Sequence, residues 1–582
     1  MAQALAALEA GTLPEELQTG AGLVPADIER TRDARNGHFA CTLALRLAKT
    51  AKKNPRQLAT ALVAALPPHA DVTHVEIAGP GFINFFIAPA AWQGVVPTVL
   101  AQREAYGCSK QGAGKRALVE FVSANPTGPL HVGHGRHAAF GATLANLLAA
   151  AGWQVHREYY INDAGRQMEI LAASTWLRYL QARGEQLTFP SNGYRGDYLL
   201  PIAAKLEARA GATLHRSSAE VFSGLPPDEP EGGNKDDYID AVIVRAHALL
   251  GEAGFRLALD VALEDILGDI REDLAAFGVV YDRWYSERSL STEGAIDRAL
   301  NRLQTQGHVY AKDGALWFKA TAFGDEKDRV VVRENGVKTY FASDIAYHLE
   351  KRERGFDLLL DILGADHHGY IARVRAGLEA MGEPGDSLEV RLVQFVTLFR
   401  GEEKVQMSTR SGEFITLRQL RAEVGNDACR FYYVMRSNDQ HLDFDLELAK
   451  TRSNDNPVYY IQYAHARVSS VLRQLADRGL EHDIAAGLAG LRQLTEPQEQ
   501  LLAATLAQYP ELIDSAATQR APHLLVHYLR ELATSFHSYY NAHAFIVDDP
   551  SLRHARLTLV LATRQVLRNG LGILGVTAPE TM

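Results

Sequence analysis

The sequence predicts a multidomain α/β protein: a central α/β domain with a parallel sheet, a smaller α+β block before it and an α-helical block after it. Three observations carry this. A continuous apolar run, ALVEFVSANP, is closed by a Gly/Pro-rich turn and followed by a helical pattern, as in the first strand–turn–helix of a parallel sheet. A second run, FDLLLDILGADHHGY, opens another α/β half farther along. Beyond residue 420 strand signals nearly vanish and long amphipathic stretches take over. At roughly 150 residues per domain, the 582-residue chain has room for three or four such units.

Residues 1–112 form the first unit. Leu43, Ala44, Leu47 and Ala48 recur at helical spacing, and VEIAGPGFINFFIAP reads as two strands separated by Pro80 and Gly81. CSKQGAGK (108–115) reads as a linker. The central unit spans 113–419. Its first strand leads into TGPLHVGHGRHAAFGATLANLLAAAG, where Phe140, Leu144, Leu147 and Leu148 share a helical face, and then into the strand WQVHREYYIND. An insertion is placed at about 175–320, polar and including PPDEPEGGNKDD, which reads as an exposed loop because that composition cannot bury a core. Strand signals resume at GALWFKA and RVVVREN. Residues 420–582 read as a helical domain, carried by NPVYYIQYAHARVSSVLRQLADR and LRHARLTLVLATRQVLRNGLGILG.

The formal charge is −10, but it is unevenly placed: residues 1–115 sum to +2, 420–582 to −3, and 221–280 alone to −9. A polyanion responds to a local patch rather than to a total, so nucleic acid is not excluded. Three distant cysteines, Cys41, Cys108 and Cys429, support neither a disulfide framework nor a thiolate zinc site. The opening MAQALAALEA lacks a basic segment, and no apolar run is long enough to span a bilayer. A soluble cytoplasmic protein with no membrane partner is expected.

The most informative turn is Pro129-Leu130-His131-Val132-Gly133-His134-Gly135, between a strand and a helix. Glycine lets a ligand approach the backbone, the helix N-terminus offers unpaired N–H groups to phosphate, and imidazoles can donate to phosphoryl oxygens. The same pattern also fits an ordinary helix start. A metal site on His131, His134 and His137 is disfavoured, because the spacing is wrong for a single-face pair and no acidic partner lies in the helix. GADHHGY, taken alone, reads equally as a metal cluster or a core cluster.

EFVSANPTGPLHVGHGR resembles the HIGH signature of class I aminoacyl-tRNA synthetases in the form used by arginyl-tRNA synthetases. The resemblance implies a class I synthetase Rossmann-like catalytic domain with an insertion, an α+β N-terminal domain that contacts tRNA, and an α-helical C-terminal anticodon-binding bundle. It implies ATP binding by Pro129, His131, Gly133, His134, Gly364, Asp366, His367, Met407 and Ser408, with His131 and His134 acting on the phosphates in the transition state. It implies an arginine pocket of Glu120, Ser123, Asn125, His134, Tyr340 and Asp344, in which carboxylates would match the guanidinium fork.

The chain departs from the pattern at the second signature. KVQMSTRSGEFITL carries Gln406 and Thr409 where the KMSKS motif has lysines, so charge on the leaving pyrophosphate would fall to Lys404 and Arg410, with Arg136 and Lys115 as further candidates.

The C-terminal block resembles the family's anticodon-binding domain and implies tRNA contacts at Tyr459, Tyr463, Arg467 and Met582. Asn84 belongs to the N-terminal contribution. Exposed tyrosines there would stack on unpaired bases, although an aromatic stripe on a helix also fits a core, and about half of these tyrosines are expected inside the bundle.

The implied activity is charging of tRNA-Arg with L-arginine, with ATP as substrate together with Mg²⁺, no tightly bound cofactor and no resident metal, in a monomer whose arginine activation needs bound tRNA. The competing readings are a catalytically inactive paralogue that binds tRNA, a synthetase for another amino acid, and a small-cofactor nucleotidyltransferase. tRNA is expected to approach across the end domains, away from the acidic insertion.

Overall fold

The computed structural model describes residues 28–31, 33–365, 371–405 and 415–582. At the amino end, β1 (Ile28–Arg30), β2 (Phe39–Cys41), β3 (Val72–Ala78) and β4 (Phe82–Ile87) form an antiparallel sheet in the order β1-β2-β4-β3. The two runs of VEIAGPGFINFFIAP are the β3–β4 hairpin, with Ala78 paired to Phe82 across the expected turn. Residues 108–115 are not a loose linker. The Gly112 N–H donates to the Ala151 carbonyl, and a Cβ on Gly112 would lie 2.2 Å from the Trp153 ring, so the segment is packed into the central unit.

The central sheet contains β5 (Arg116–Glu120), β6 (Gln154–Ile161) and β7 (Arg283–Ser286). A small antiparallel sheet of β8 (Val309–Lys312), β9 (Ala315–Phe318) and β10 (Arg329–Val332) follows, and β11 (Leu358–Gly364) and β12 (Leu388–Val393) complete the central sheet. Its order is β12-β11-β5-β6-β7, parallel throughout. β5 and β11 are buried along almost their whole length, which is why they read as continuous apolar runs rather than alternating ones. The chain starts in the middle, builds outward through β6 and β7, then returns to the other side of β5. The order therefore reverses between β5 and β11, and the crevice beyond their carboxyl ends is where a doubly wound sheet takes its ligand.

Two boundaries differ from the sequence reading. β7 lies inside the span read as insertion, yet it is the edge strand of the main sheet; a four-residue strand between polar stretches gives little signal. After β13 (Val396–Arg400) and β14 (Glu403–Lys404), β15 (Leu442–Asp445) pairs parallel with β13, so strand structure continues past residue 420.

Helix α1 (Val132–Ala150) is buried on nearly every side. A Cβ on Gly141 would meet the Phe121 ring at 2.3 Å on the sheet side. The remaining helices used below are α2 (Lys235–Ala276), α3 (Tyr340–Glu353), α4 (Asn426–Val434), α5 (Pro457–Asp477), α6 (His523–Ala542) and α7 (Pro550–Leu574). One continuous core runs from Trp92 through α1 to Leu574. The PPDEPEGG segment is partly built in: Asp228 is buried and accepts from the Ser191 and Glu229 N–H groups before α2 begins.

Candidate active site

The site starts from strained backbone at the end of β5. Val122 (φ 70°) and Ser123 (φ 41°) both sit in the left-handed region, and the Ser123 N–H bonds back to the Phe121 carbonyl at 3.1 Å. A β-branched residue in that conformation costs about 1–3 kcal/mol and persists only where the surroundings impose it. Here it turns Ser123 so that its Oγ donates to Glu120 Oε1 (3.1 Å) while accepting from the Tyr160 N–H (3.1 Å). Beyond the turn opens a cavity of about 590 Å³ at the β5/β11 switch point. Its walls include Glu120, Ser123, Asn125, His131, Gly133, His134, Asp344 and Gly364.

The two signature histidines hold each other. His131 is the N-cap of α1; its Nδ1 accepts from the Gly133 and His134 N–H groups (3.1 and 3.4 Å), and His134 Nδ1 accepts from the His131 N–H (3.3 Å). The rings stack at 3.6 Å. Gly133 makes this possible, because a Cβ there would stand 3.0 Å from the His131 ring. With both Nδ1 atoms accepting, the ring hydrogens are assigned to Nε2. Burial lowers the basicity of His131, and burial with the neighbouring His131 and His137 lowers that of His134 further, so both rings are neutral donors at pH 7.

The opposite wall is acidic. Glu120 Oε2 accepts from Lys351 Nζ (2.6 Å) and from the Tyr347 hydroxyl (2.9 Å). Asp344, one turn into α3, faces the cavity. Glu287, at the carboxyl end of β7, belongs to the same acidic neighbourhood: burial, then Asp344 and Asp163, push its carboxyl up to about 7. The crevice thus joins phosphate donors at a helix N-terminus to a cation-seeking acidic wall.

The comparisons with known proteins agree along the whole chain. Residues 2–87 match the arginyl tRNA synthetase N terminal domain, 95–187 and 269–451 the class I (R) tRNA synthetase catalytic domain, and 461–582 the DALR anticodon binding domain. The chain is 59% identical to an arginine–tRNA ligase of Thioalkalivibrio sulfidiphilus, over 100% of this chain and 98% of that one. The chain belongs to the arginyl-tRNA synthetase family. A second relative, the arginine–tRNA ligase of Halorhodospira halophila, is 57% identical over 100% of this chain and 99% of its own. The solved arginyl-tRNA synthetase of Thermus thermophilus superposes with a TM-score of 0.72 at 25% identity, covering 99% of this chain and 100% of that chain.

Several expected arginyl-tRNA synthetase residues stand elsewhere. Pro129 lines a separate small cavity with Tyr198, Asp265 and Arg418, behind the signature turn. Tyr340 is 65% exposed at the first turn of α3, its hydroxyl against Gly165, outside the cavity walls; Tyr347, two turns on, is the tyrosine beside Glu120. Arg136 cannot serve pyrophosphate, because its buried guanidinium donates to the main-chain carbonyls of Gln394, Ser437 and Gln440. Lys115 precedes β5, at the sheet end opposite the crevice, and lies over the Trp153 ring. Lys404 is exposed on β14. Asp366, His367, Met407, Ser408 and Arg410, with Gln406 and Thr409, lie outside the described residues. Both flanks of 406–414 are fixed: Val405 N–H bonds to Leu398, and Ile415 and Leu417 bond to Val132 and Leu130 beside the signature turn.

Of the residues expected to meet tRNA, Asn84 is buried within β4 rather than presented on the surface. On α5 none of Tyr459, Tyr460 and Tyr463 is fully buried. Tyr459 stacks on Tyr463, and Arg467 lies 4.5 Å from both the Tyr463 and Tyr540 ring centres. Met582 is half-exposed, at the end of a tail laid along α5 by His465 and Arg473.

The sequence reading missed Glu287, Tyr347, Lys351 and Phe395. Phe395 lines the cavity at 63% exposure on hydrogen-bonded backbone: Gln394 N–H donates to Asn438, Gln394 carbonyl accepts from Arg136, and Phe395 carbonyl accepts from Leu442.

Proposed function

We propose that the crevice at the β5/β11 switch point activates L-arginine with ATP and transfers it to the terminal adenosine of tRNA-Arg. The chain is an arginine–tRNA ligase. An arginine carboxylate oxygen attacks the α-phosphorus of ATP, the bond to the β-phosphate oxygen breaks, and pyrophosphate leaves. The 2′-hydroxyl of the tRNA then attacks the arginyl carbonyl, AMP leaves, and the hydroxyl proton passes to solvent. Neither step needs a side-chain nucleophile; placement and charge stabilisation carry the rate.

The observation that supports this best is the pairing of two opposed chemistries in one crevice. His131 and His134 offer neutral Nε2–H donors where phosphoryl charge develops, so they favour the transition state over the ground state. Gly364, at the end of β11, leaves room for the ribose, and Phe395 offers an aromatic face for the adenine. Asp344 and Glu287 suit a guanidinium, with Glu120, Ser123 and Asn125 near the amino-acid end. Tyr340 lies one turn from Asp344 on the same helix face, at the rim. ATP would enter as its Mg²⁺ complex, with Lys404 and Arg410 adding charge from the second signature loop. The aromatic face of α5 and the C-terminal tail would take the anticodon loop. We read the enzyme as a cytoplasmic monomer without a tightly bound cofactor.

The test is ATP–pyrophosphate exchange with arginine or lysine, with and without tRNA. Arginine- and tRNA-dependent exchange that Asp344→Ala abolishes, while ATP binding persists, is the expected result. Binding of tRNA without exchange would instead identify an inactive paralogue.

A further inference from the structure

We propose that Lys351 is a positioning residue for arginine: its buried ammonium clamps Glu120 and Asp361 together, offsets part of their charge, and leaves recognition of the guanidinium to Asp344 and Glu287. The inference rests on reading the crevice as the arginine site.

Lys351 is wholly buried in α3, and a buried ammonium without partners would cost several kcal/mol. It has two carboxylates: Glu120 at 2.6 Å and Asp361 at 2.9 Å. Burial opposes its charge, but Asp361 and Glu120 outweigh that and hold the ammonium charged well above its ordinary value. Four residues earlier, the Tyr347 hydroxyl is shared between Glu120 Oε2 (2.9 Å) and Glu158 Oε1 (2.8 Å). His348 Nδ1 lies 2.8 Å from the Asp344 carbonyl oxygen, and its Nε2 lies 2.7 Å from Asp361 Oδ2. The ring thus bridges the Asp344 main chain to the Asp361 carboxylate. Arg354 closes the set with two bonds to Glu158 (3.1 and 2.6 Å).

The block's charge is largely offset from within. Glu120, Asp361 and Glu158 all face the cations Lys351 and Arg354, and burial raises the proton affinity of Glu120, so little net negative charge from this floor remains to draw a guanidinium. Glu120 Oε2 is taken by Lys351 and Tyr347, leaving Oε1, beside Ser123, as its face toward the cavity. Glu287 belongs to a different neighbourhood: burial first, then Asp344 and Asp163, raise its proton affinity, as neighbouring carboxyls around a cation site do. What Lys351 contributes is distance: it fastens α3, which carries Asp344, to β5, which carries Glu120, and to β11, which ends at Gly364.

The experiment uses the full chain with tRNA and measures exchange kinetics of Lys351→Met, Lys351→Arg and the double variant Lys351→Met/Asp361→Asn from pH 6 to 9. Lys351→Met should raise the arginine KM at least tenfold with the ATP KM changed less than threefold. It should also make the arginine KM fall as pH rises from 7.5 to 9, because one of the two carboxyls stranded beside each other keeps a proton. The titratable groups facing Glu120 are Lys351, Tyr347 and His348 from α3, Asp361 from β11, Glu158 and Tyr160 from β6, and Tyr281; Asp361 is the carboxylate that shares Lys351 with it, so removing Asp361 is the compensating change. The double variant should flatten that profile and recover part of the KM. The preference for arginine over lysine should survive in Lys351→Met within threefold. Lys351→Arg, which keeps the charge, should shift the KM without the new pH dependence, and it serves if the methionine variant does not fold. An unchanged arginine KM and pH profile, equal rises in both KM values, or a double variant worse than the single would overturn the proposal. A wild-type enzyme that does not activate arginine would instead refute the reading of the site.

Discussion

Arginine binding should release a proton, and the donor should be Glu287. Its carboxyl is pushed up to about 7, first by burial and then by Asp344 and Asp163. A guanidinium is charged at any working pH, so pairing with Glu287 requires the carboxylate form. The cost of removing the proton scales the dissociation constant by one plus the protonated-to-ionised ratio: arginine should bind ~11-fold more weakly at pH 6 than at its plateau, ~2-fold more weakly at pH 7, and almost unchanged above pH 8. The penalty at pH 6 is about 1.4 kcal/mol.

Titration calorimetry of the tRNA-bound enzyme in two buffers of different protonation enthalpy measures both quantities. About half a proton should leave per arginine at pH 7. His131 and His134 do not confuse the reading, since burial moves both below the ordinary histidine range. Glu287→Gln should weaken binding and flatten the slope. A flat profile from pH 6 to 8, or a slope that survives Glu287→Gln, would refute the assignment. The same group works against the ligand-free fold: its folded value exceeds the ordinary carboxyl value, so its stabilising contribution is complete below about pH 4.5 and is lost as pH rises through 7.

Three further outcomes follow from the geometry. His134→Ala should lower the exchange kcat by ~10²–10³ with a much smaller rise in the arginine and ATP KM values, since the donor acts chiefly on developing phosphoryl charge; a loss of affinity as large as the loss of kcat would contradict that. Phe395→Ala should raise the ATP KM by about tenfold, within the ~1–3 kcal/mol that base–aromatic stacking supplies, while Phe395→Trp keeps it; steady-state exchange at varied ATP distinguishes the two. Arg467→Ala and Tyr463→Ala should each raise the KM for tRNA about tenfold in aminoacylation and leave the arginine KM alone, and a reversed pattern would remove α5 from the tRNA surface.

The phosphate end of the site was legible in the sequence because its chemistry is local. A buried strand, a tight turn and a helix start constrain residue types over a few positions, and Gly133 with its flanking histidines satisfies all three within one turn. The amino-acid end was only half legible, because Glu120, Glu287 and Asp344 come from three separate elements. β7 contributes only four residues to the sheet, so Glu287 sat unnoticed in a span read as insertion. Helix α3 did carry a usable signal. Asp344, Tyr347, His348 and Lys351 recur at the spacing that normally carries an apolar stripe, and polar residues on an inward face mark a site or a buried network. Read as a stripe rather than as a Tyr/Asp pair, the helix would have pointed to Tyr347 and Lys351 as well as Asp344. The packing of Asn84 follows from a different limit: alternation identifies β4 as a strand without saying which of its faces another layer will cover.

The net charge acquires a more specific meaning once the acidic residues are placed. Much of the surplus lies on α2, where several carboxylates already have cations: Asp236 and Asp240 pair with Arg166, Asp265 with Lys205, Glu264 with Arg209, and Asp269 with Arg418. Local pairing shortens the reach of that field, and salt shortens it again to within about 8 Å. The paired carboxylates of α2 therefore repel a polyanion less than their number implies. The α5 face instead presents stacked tyrosines with Arg467 among them, and it is joined to the catalytic unit by Asp427 on α4, which accepts from Gln462 and Thr577. At the other end of the same helix, the Tyr433 hydroxyl donates to the Val132 carbonyl, beside the signature histidines. A tRNA docked on α5 would thus rest on a helix that is tied through α4 to the turn carrying His131 and His134.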